Sequence, residues 1–223
     1  MSLADELARS GAPPAARDRL AHYAGLLLEA NRRVNLTAAR TPEAIAAQIA
    51  DAFPLVRLVR GTLVDVGAGG GLPGIPLAIV CGVSVTLLDA TAKKVAFLRD
   101  ALRELGLEGE AVLGRAEVVA RDPAFRERFS HATARAVGSA PTVMELTVPF
   151  LAPGGTALLQ RGRVDDAERA AMRDAALVLG SEVTEEFAAG GERRVVVVTK
   201  REATPLRFPR RTGVPQRRPL CLW

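Results

Sequence analysis

The sequence predicts an α/β fold: a mostly parallel sheet with helices on both faces, an antiparallel hairpin closing it, and a helical portion ahead of it. Three observations carry this expectation. From Gly61 to about residue 200, short apolar runs alternate with segments of helical period. A glycine-rich stretch joins the first apolar run to the segment that follows it. The first 60 residues, in contrast, carry helical periodicity and no strand signal.

Residues 15–34 read as a helix, because Leu20, Tyr23, Leu27 and Val34 recur near the helical period. Asn35-Leu36-Thr37 ends it. Thr41 and Pro42 read as an N-cap and a proline at the first helical position. Ile45, Ile49, Phe53 and Val56 then share a face, with Pro54 expected to kink or divide the segment. Residues 62–66 are the first strand and residues 83–88 the second. Thr91 is placed to cap a helix whose buried face is Val95, Leu98, Leu102 and Leu105. Residues 110–113 and 130–136 are the third and fourth strands, and residues 141–150 are helical. A turn at Pro153-Gly154 introduces a fifth strand over 155–159, and residues 165–179 are helical. Residues 182–188 and 193–199 form the closing hairpin, with Gly190-Gly191 at its turn. Seven strands result. The tail from residue 200 contains four prolines among basic residues and is expected to be extended.

The chain has 223 residues, enough for one large domain with a small appendage. Its 48% hydrophobic and 25% charged residues exclude general disorder. The formal net charge of +5 is unevenly placed. Residues 200–223 hold seven basic residues and one acid, whereas the rest holds 23 basic against 24 acidic. A neutral body with a cationic tail points to a polyanionic partner, with RNA, DNA and an anionic membrane as candidates and a solubilising tail as the alternative. Cys81 and Cys221 offer no disulfide framework and no metal spacing. Asp5 and Glu6 sit where a secretory signal would be basic. Residues 66–88 are uncharged over 23 positions, but six glycines and two prolines would break a membrane helix. The expected location is the cytoplasm, with no membrane association.

The glycine stretch reads Asp65-Val66-Gly67-Ala68-Gly69-Gly70-Gly71-Leu72-Pro73-Gly74. A glycine turn from strand to helix lets backbone approach a ligand closely. Two patterns overlap in it. Gly67, Gly69 and Gly71 with Asp65 match the loop of S-adenosylmethionine-dependent methyltransferases. Gly69, Gly71 and Gly74 formally match a dinucleotide fingerprint, which keeps an NAD(P)-dependent oxidoreductase open. Gly69, however, lies three residues beyond the strand, and Asp65 would repel a pyrophosphate. An acid at position 65 suits the ammonium end of methionine instead. Asp89, at the end of the second strand, can accept both hydroxyls of a ribose. No residue set suggests acid–base or nucleophilic chemistry, and His22 and His131 read as structural. Methyl transfer to an atom with a free lone pair tolerates this, since it needs alignment more than proton removal. Guanine N7 is such an atom.

At these residues the chain resembles the bacterial small-subunit ribosomal RNA guanine-N7 methyltransferases (the RsmG family, formerly GidB) over nearly its whole length. The resemblance is carried by Asn35-Leu36-Thr37, by the run from Asp65 to Pro76, and by Leu87-Leu88-Asp89 with Lys93, Lys94 and Phe97-Leu98-Arg99. Arg115-Ala116-Glu117, Ala134-Arg135-Ala136, Gly191-Glu192-Arg193 and the tail from Phe208 to Leu220 continue it. It implies a class I, Rossmann-like methyltransferase fold. Residues 1–60 would be a helical extension, residues 61–200 the methyltransferase domain and residues 201–223 the basic tail. It also implies methylation of N7 of the position-527 guanine, in the 530 loop of 16S rRNA, by a monomer acting on the 30S subunit or an assembly intermediate. S-adenosyl-L-methionine would be held by Asp65, Gly67, Gly69, Gly71, Leu72, Asp89, Ala116, Glu117 and Arg135. Of these, Gly67 and Leu72 would meet the methionine part, Asp89 the ribose, and Ala116 and Glu117 the adenine. Arg135 would stand at the pocket mouth as the catalytic residue. Arg161, Arg210, Arg211, Arg217 and Arg218 would contact RNA.

The chain also departs from that pattern. Gln160-Arg161-Gly162 stands where many members have Lys-Gly, Gln48 and Ala52 replace a His and a Ser, and Thr212 replaces a Pro. These departures are expected on the RNA side, and they keep a non-catalytic RNA-binding module open as a third reading.

Overall fold

The structure is a computed structural model and describes residues 3–135 and 138–220. Ahead of the sheet come α1 (Leu3–Arg9), α2 (Arg17–Ala30) and α3 (Pro42–Ala50). α1 has no counterpart among the expected elements; its anchor is a single fully buried side chain, Leu7. Thr41 caps α3 as expected, its side chain accepting from the Ala44 N–H at 3.3 Å. Pro54 divides the segment, so that α3 ends at Ala50 and a single 3₁₀ turn spans Phe53–Leu55.

The sheet follows. β1 (Thr62–Val66) leads into α4 (Gly74–Cys81), and β2 (Ser84–Asp89) into α5 (Ala92–Glu104). β3 (Gly109–Leu113) is followed by the short α6 (Ala116–Val119), and β4 (Phe129–Ala134) by α7 (Ala140–Thr147). β5 (Leu151–Arg161), α8 (Asp166–Val178), β6 (Ser181–Ala188), β7 (Arg194–Lys200) and α9 (Val214–Arg217) complete the order. The seven strands run β3-β2-β1-β4-β5-β7-β6. The first five are parallel, and β7 pairs antiparallel with both β5 and β6.

Two local expectations need correction. Thr91 stands at the head of α5, but its side chain makes no capping bond. The Asp89 Oδ1 accepts from the Thr91 N–H, ahead of the helix, at 2.8 Å. The Pro153-Gly154 turn is absorbed within a longer β5, where pairing jumps from Phe129↔Leu151 to His131↔Thr156. Ala136, expected at the end of the fourth strand, lies outside the described residues.

Side-chain alternation along the strands sorts the core into two layers. Leu63, Val85, Leu87, Leu158, Val195 and Val197 face the N-terminal helices, α4 and α5. Val64, Val66, Leu88, Leu159, Val196 and Val198 face the opposite way, toward α7 and α8. The N-terminal helices therefore share one apolar layer with the sheet.

The tail is not an extended arm. Phe208 and Leu220 are buried in the second layer. Prolines leave carbonyls without a neighbouring N–H to match them, and two arginines satisfy those carbonyls. The Arg121 guanidinium donates to the carbonyl oxygens of Leu206, Arg207 and Pro209 at 3.2, 3.1 and 2.5 Å. Arg126 donates to those of Thr204 and Phe208 at 2.6 and 3.0 Å. Much of the tail's charge is internally paired. Lys200, fully buried, meets Glu127 at 2.6 Å, and Arg201 meets Glu182 at 2.9 Å. Arg210, expected to face RNA, instead forms a forked pair with the fully buried Glu145, with N–O distances from 2.5 to 3.0 Å. Its backbone N–H binds the same carboxylate at 2.7 Å. Arg207, Arg211, Arg217 and Arg218 remain exposed. Residues 221–223 of the tail lie outside the described residues.

Removing one partner of such a pair strands a buried charge. Arg210→Ala is therefore expected to destabilise the protein by about 3 kcal/mol in urea unfolding. Arg211→Ala, one residue on and exposed, is expected to change stability by less than about 0.5 kcal/mol. Equal effects would show that the pair does not anchor the tail.

Candidate active site

The C-terminal ends of β3, β2, β1, β4 and β5 stand in a row, and in open α/β sheets ligands bind beyond such ends, where the strand order reverses. Here the reversal falls between β1 and β4. The register Asp65↔Thr133 sets Gly67 level with Arg135, and Ala134↔Leu159 sets Arg135 level with Gln160.

Asp65 lies under the glycine loop and is fully buried. Its Oδ2 accepts from the Gly74 N–H at 2.8 Å, while Oδ1 has no partner. A Cβ on Gly74 would lie 2.8 Å from that Oδ2 and 2.7 Å from Leu87, so only glycine lets α4 begin this close to β1. Burial pushes the Asp65 carboxyl up to about 7, against the Gly74 hydrogen bond and the Arg135 charge, while Asp89 adds to the rise. The loop leaves β1 through Gly67, Gly69 and Gly71, all at positive φ. Gly67 and Ala68 both donate to the Leu88 carbonyl, at 2.8 and 2.9 Å. From below, α2 braces the turn: the buried Tyr23 hydroxyl donates to the Gly70 carbonyl at 2.8 Å.

Asp89 holds the other side. Its Oδ2 accepts from the Gly69 N–H at 3.0 Å and its Oδ1 from Thr91, which fixes the carboxylate and leaves lone pairs for a ligand. Gly67, Asp89, Ala116 and Glu117 line one cavity of about 100 Å³, with Leu146 and Gln216 opposite. That is tight beside the ~300 Å³ or more usual for ligand pockets. Its outer wall is tail. Gln216 is exposed, and the Gly213 N–H donates to the buried Glu117 carboxylate at 2.8 Å. The tail, expected to be an extended RNA-contacting segment, thus borders this pocket.

The expected site residues divide by place. Gly67, Asp89, Ala116 and Glu117 meet at this cavity; Gly69 and Gly71 shape the turn; Leu72 is buried in the core beneath. Arg135 lies in a neighbouring cleft of about 290 Å³ with Arg161. Arg161 is held by Glu168 at 2.6 Å and by the Gly138 carbonyl at 2.9 Å. The same cleft gathers Asp51, Gln160, Arg193 and Arg194, none of them among the expected site residues. Asp51 ion-pairs with Arg193 and stands 3.8 Å from Arg135; burial raises its carboxyl, and those two cations oppose the rise. Its position in the segment from Gln48 to Ala52 was the available signal. Ala52 itself is fully buried, and the half-buried Gln48 accepts from the Thr37 hydroxyl. The His131 ring meets the Thr156 hydroxyl at 2.8 Å, and burial lowers its pKa. Among the described residues no helix is long and apolar enough to cross a membrane.

With this geometry in place, the comparisons are specific. The family model for "rRNA small subunit methyltransferase G" matches residues 16–197. The ribosomal RNA small subunit methyltransferase G of Rubrobacter xylanophilus is 41% identical, with 90% of this chain and 82% of that one covered. The protein of the same name from Desulfitobacterium hafniense is 39% identical, covering 91% and 89%. Among solved structures, the branched-chain polyamine synthase of Thermus thermophilus aligns with TM-score 0.57 at 18% identity, covering 85% of this chain and 65% of that one. A TehB-like SAM-dependent methyltransferase from Corynebacterium glutamicum aligns with TM-score 0.50 at 18% identity, covering 68% and 87%. At such identities the structural likeness speaks for the fold: a seven-stranded, mostly parallel sheet with an antiparallel hairpin.

A buried acid with a raised pKa makes stability depend on pH with a definite sign. Between the ordinary carboxylate value near 4 and about 7, the folded chain holds a proton that the unfolded chain releases. The Asp65 contribution is therefore lost as pH rises through that window. The stability difference between Asp65→Asn and the parent is expected to grow in favour of the variant from pH 4 to 7 and to level off above. Urea unfolding across this range measures it; a constant difference would contradict the buried charge.

Proposed function

The chain belongs to the rRNA small subunit methyltransferase G family, and from that premise we propose that it methylates guanine N7 in 16S rRNA, using S-adenosylmethionine. The target, by the resemblance of its motifs, is the position-527 guanine of the 530 loop. The observation that carries the cofactor reading is Asp65. Its buried Oδ1 has no partner, under a glycine loop whose neighbouring strand ends in the oriented Asp89 carboxylate. A ligand carrying both an ammonium group and a ribose suits these two acids. When bound, its sulfonium supplies an electrophilic methyl group.

The protein's residues then have separable tasks. Asp89 accepts from the ribose hydroxyls with the lone pairs its backbone donors leave free. Asp65 takes the ammonium group, directly or through water. Ala116 and Glu117 border the adenine. Arg135, one residue past β4, stands between the cofactor loop and the arginine cleft and positions the acceptor. It moves no proton, because guanidinium stays protonated. None needs to move, since N7 attacks through a free lone pair. A guanine within an A-form helix hides N7 in a deep, narrow groove, so the acceptor is a loop or swung-out base. The exposed Arg211, Arg217 and Arg218 supply phosphate contacts beside the pocket that the tail borders.

Incubation with methyl-labelled S-adenosylmethionine and undermethylated 30S subunits or free 16S rRNA tests the reading. Label is expected in N7-methylguanine; no label in rRNA under any of these conditions would overturn it. Replacing Arg211, Arg217 and Arg218 together by Ala is expected to flatten the log–log salt slope of RNA binding by roughly 2 and to leave cofactor affinity unchanged. An unchanged slope would return the tail to a purely structural part.

A further inference from the structure

Guanine and adenine both present N7 as an acceptor, so the reacting atom cannot distinguish them. They differ beside N7, where guanine carries the O6 acceptor and adenine an amino donor, and again on the far edge, where guanine donates from N1–H and from its 2-amino group. Guanidinium donors can read O6 beside N7, and an acceptor at the far edge reads the 2-amino group that only guanine carries there.

The cleft beside Arg135 is rich in the opposite kind of group. Arg135, Arg161, Arg193 and Arg194 line it, and guanidinium groups only donate. Gln160 differs from them. Its Nε2 donates to the Asp51 backbone carbonyl at 2.5 Å. A carbonyl has no hydrogen to give, so the amide must turn its nitrogen to that contact. Oε1 is thereby left buried with no partner, one of two such side-chain atoms among the described residues; the other is Asp65 Oδ1. A buried acceptor without a donor calls for an explanation. Asp51 is close by, but its carboxylate already faces Arg193 and Arg135.

Position supports a base rather than a bare phosphate. Gln160 and Gly67 stand on β5 and just past β1, with β4 between them. Two strand spacings separate them, roughly 10 Å. That backbone separation is of the order of a purine's length. A purine whose amino edge meets Gln160 turns N7 the opposite way, along the strand ends toward the glycine loop.

We propose that Gln160 Oε1 accepts from the 2-amino group of the target guanine and so adds to the selection of guanine in this cleft. The proposal rests on the methyltransferase reading above and deepens it.

The test uses the full chain and a 30S substrate reconstituted with 16S rRNA carrying either guanine or inosine at the target. Inosine lacks only the 2-amino group. The parent is expected to lose about tenfold in kcat/KM on inosine. Gln160→Met is expected to lose about tenfold on guanine and nothing further on inosine, with S-adenosylmethionine affinity by calorimetry within twofold of the parent. Gln160→Asn, which keeps the amide but withdraws it by one methylene, serves as a second variant and is expected to show the same missing inosine penalty. A full inosine penalty in either variant would overturn the proposal, because a residue that merely supports the fold would leave that penalty intact. No inosine penalty in the parent would also overturn it and would mark the cleft as a phosphate site. Methylation of the guanine substrate by the parent, together with either of those results, would leave the methyltransferase reading standing. No methylation of guanine by the parent would remove both.

Discussion

A carboxylate sealed into the centre of the sheet is the constraint on which the rest of the site depends. Asp65 closes β1 without solvent, and one backbone N–H, that of Gly74, meets it. For that N–H to arrive, α4 must begin against the strand, which excludes a side chain at position 74. The chain between them must therefore turn tightly, and glycines at positive φ allow it. The turn in turn presents the Gly69 N–H to Asp89 and the Gly70 carbonyl to Tyr23. The second acidic group and the N-terminal helical layer are thus both tied to the geometry that Asp65 imposes. A buried charge held by so few partners is poorly satisfied on its own, which is why the proposed function assigns it a cationic ligand group.

The opposite layer brings the tail into the same region. Three of its cations lie against acids of the body, and two body arginines hold its carbonyls. The net +6 of residues 200–223 therefore overstates what faces solvent. What remains outside is Arg207 and a short cluster, Arg211, Arg217 and Arg218, beside a segment that touches Glu117 and walls the cavity next to Asp89. Pocket wall and exposed cations are built from one piece of chain.

The fold was legible because its signals are local. Strand runs, the glycine loop and the Thr41-Pro42 helix start each depend on a few adjacent residues, and all seven strands appear within a few residues of where alternation places them. The glycine turn after β1 was legible for the same reason. What escaped depends on partners distant in sequence. The Arg210–Glu145 pair joins residues 65 apart, and nothing near Arg210 marks it as a structural cation. The Gln160–Asp51 contact spans 109 residues, so the acceptor left over in the arginine cleft cannot be read from either segment alone. Composition suggested an extended tail because prolines and arginines do not pack by themselves. They pack here because Arg121 and Arg126 come to them. Ala52, expected toward RNA from its place in a motif, turns inward just past α3 and is fully buried, while the half-buried Gln48 is held by the Thr37 hydroxyl.

The central claim is that this chain places a methyl group on guanine N7 in the small-subunit rRNA. Mass-spectrometric mapping of N7-methylguanine in 16S rRNA, from cells with and without the gene, addresses it most directly. One N7-methylguanine in the 530 loop is expected to disappear with the gene and to return when the gene is restored. An unchanged methylation map would contradict the claim.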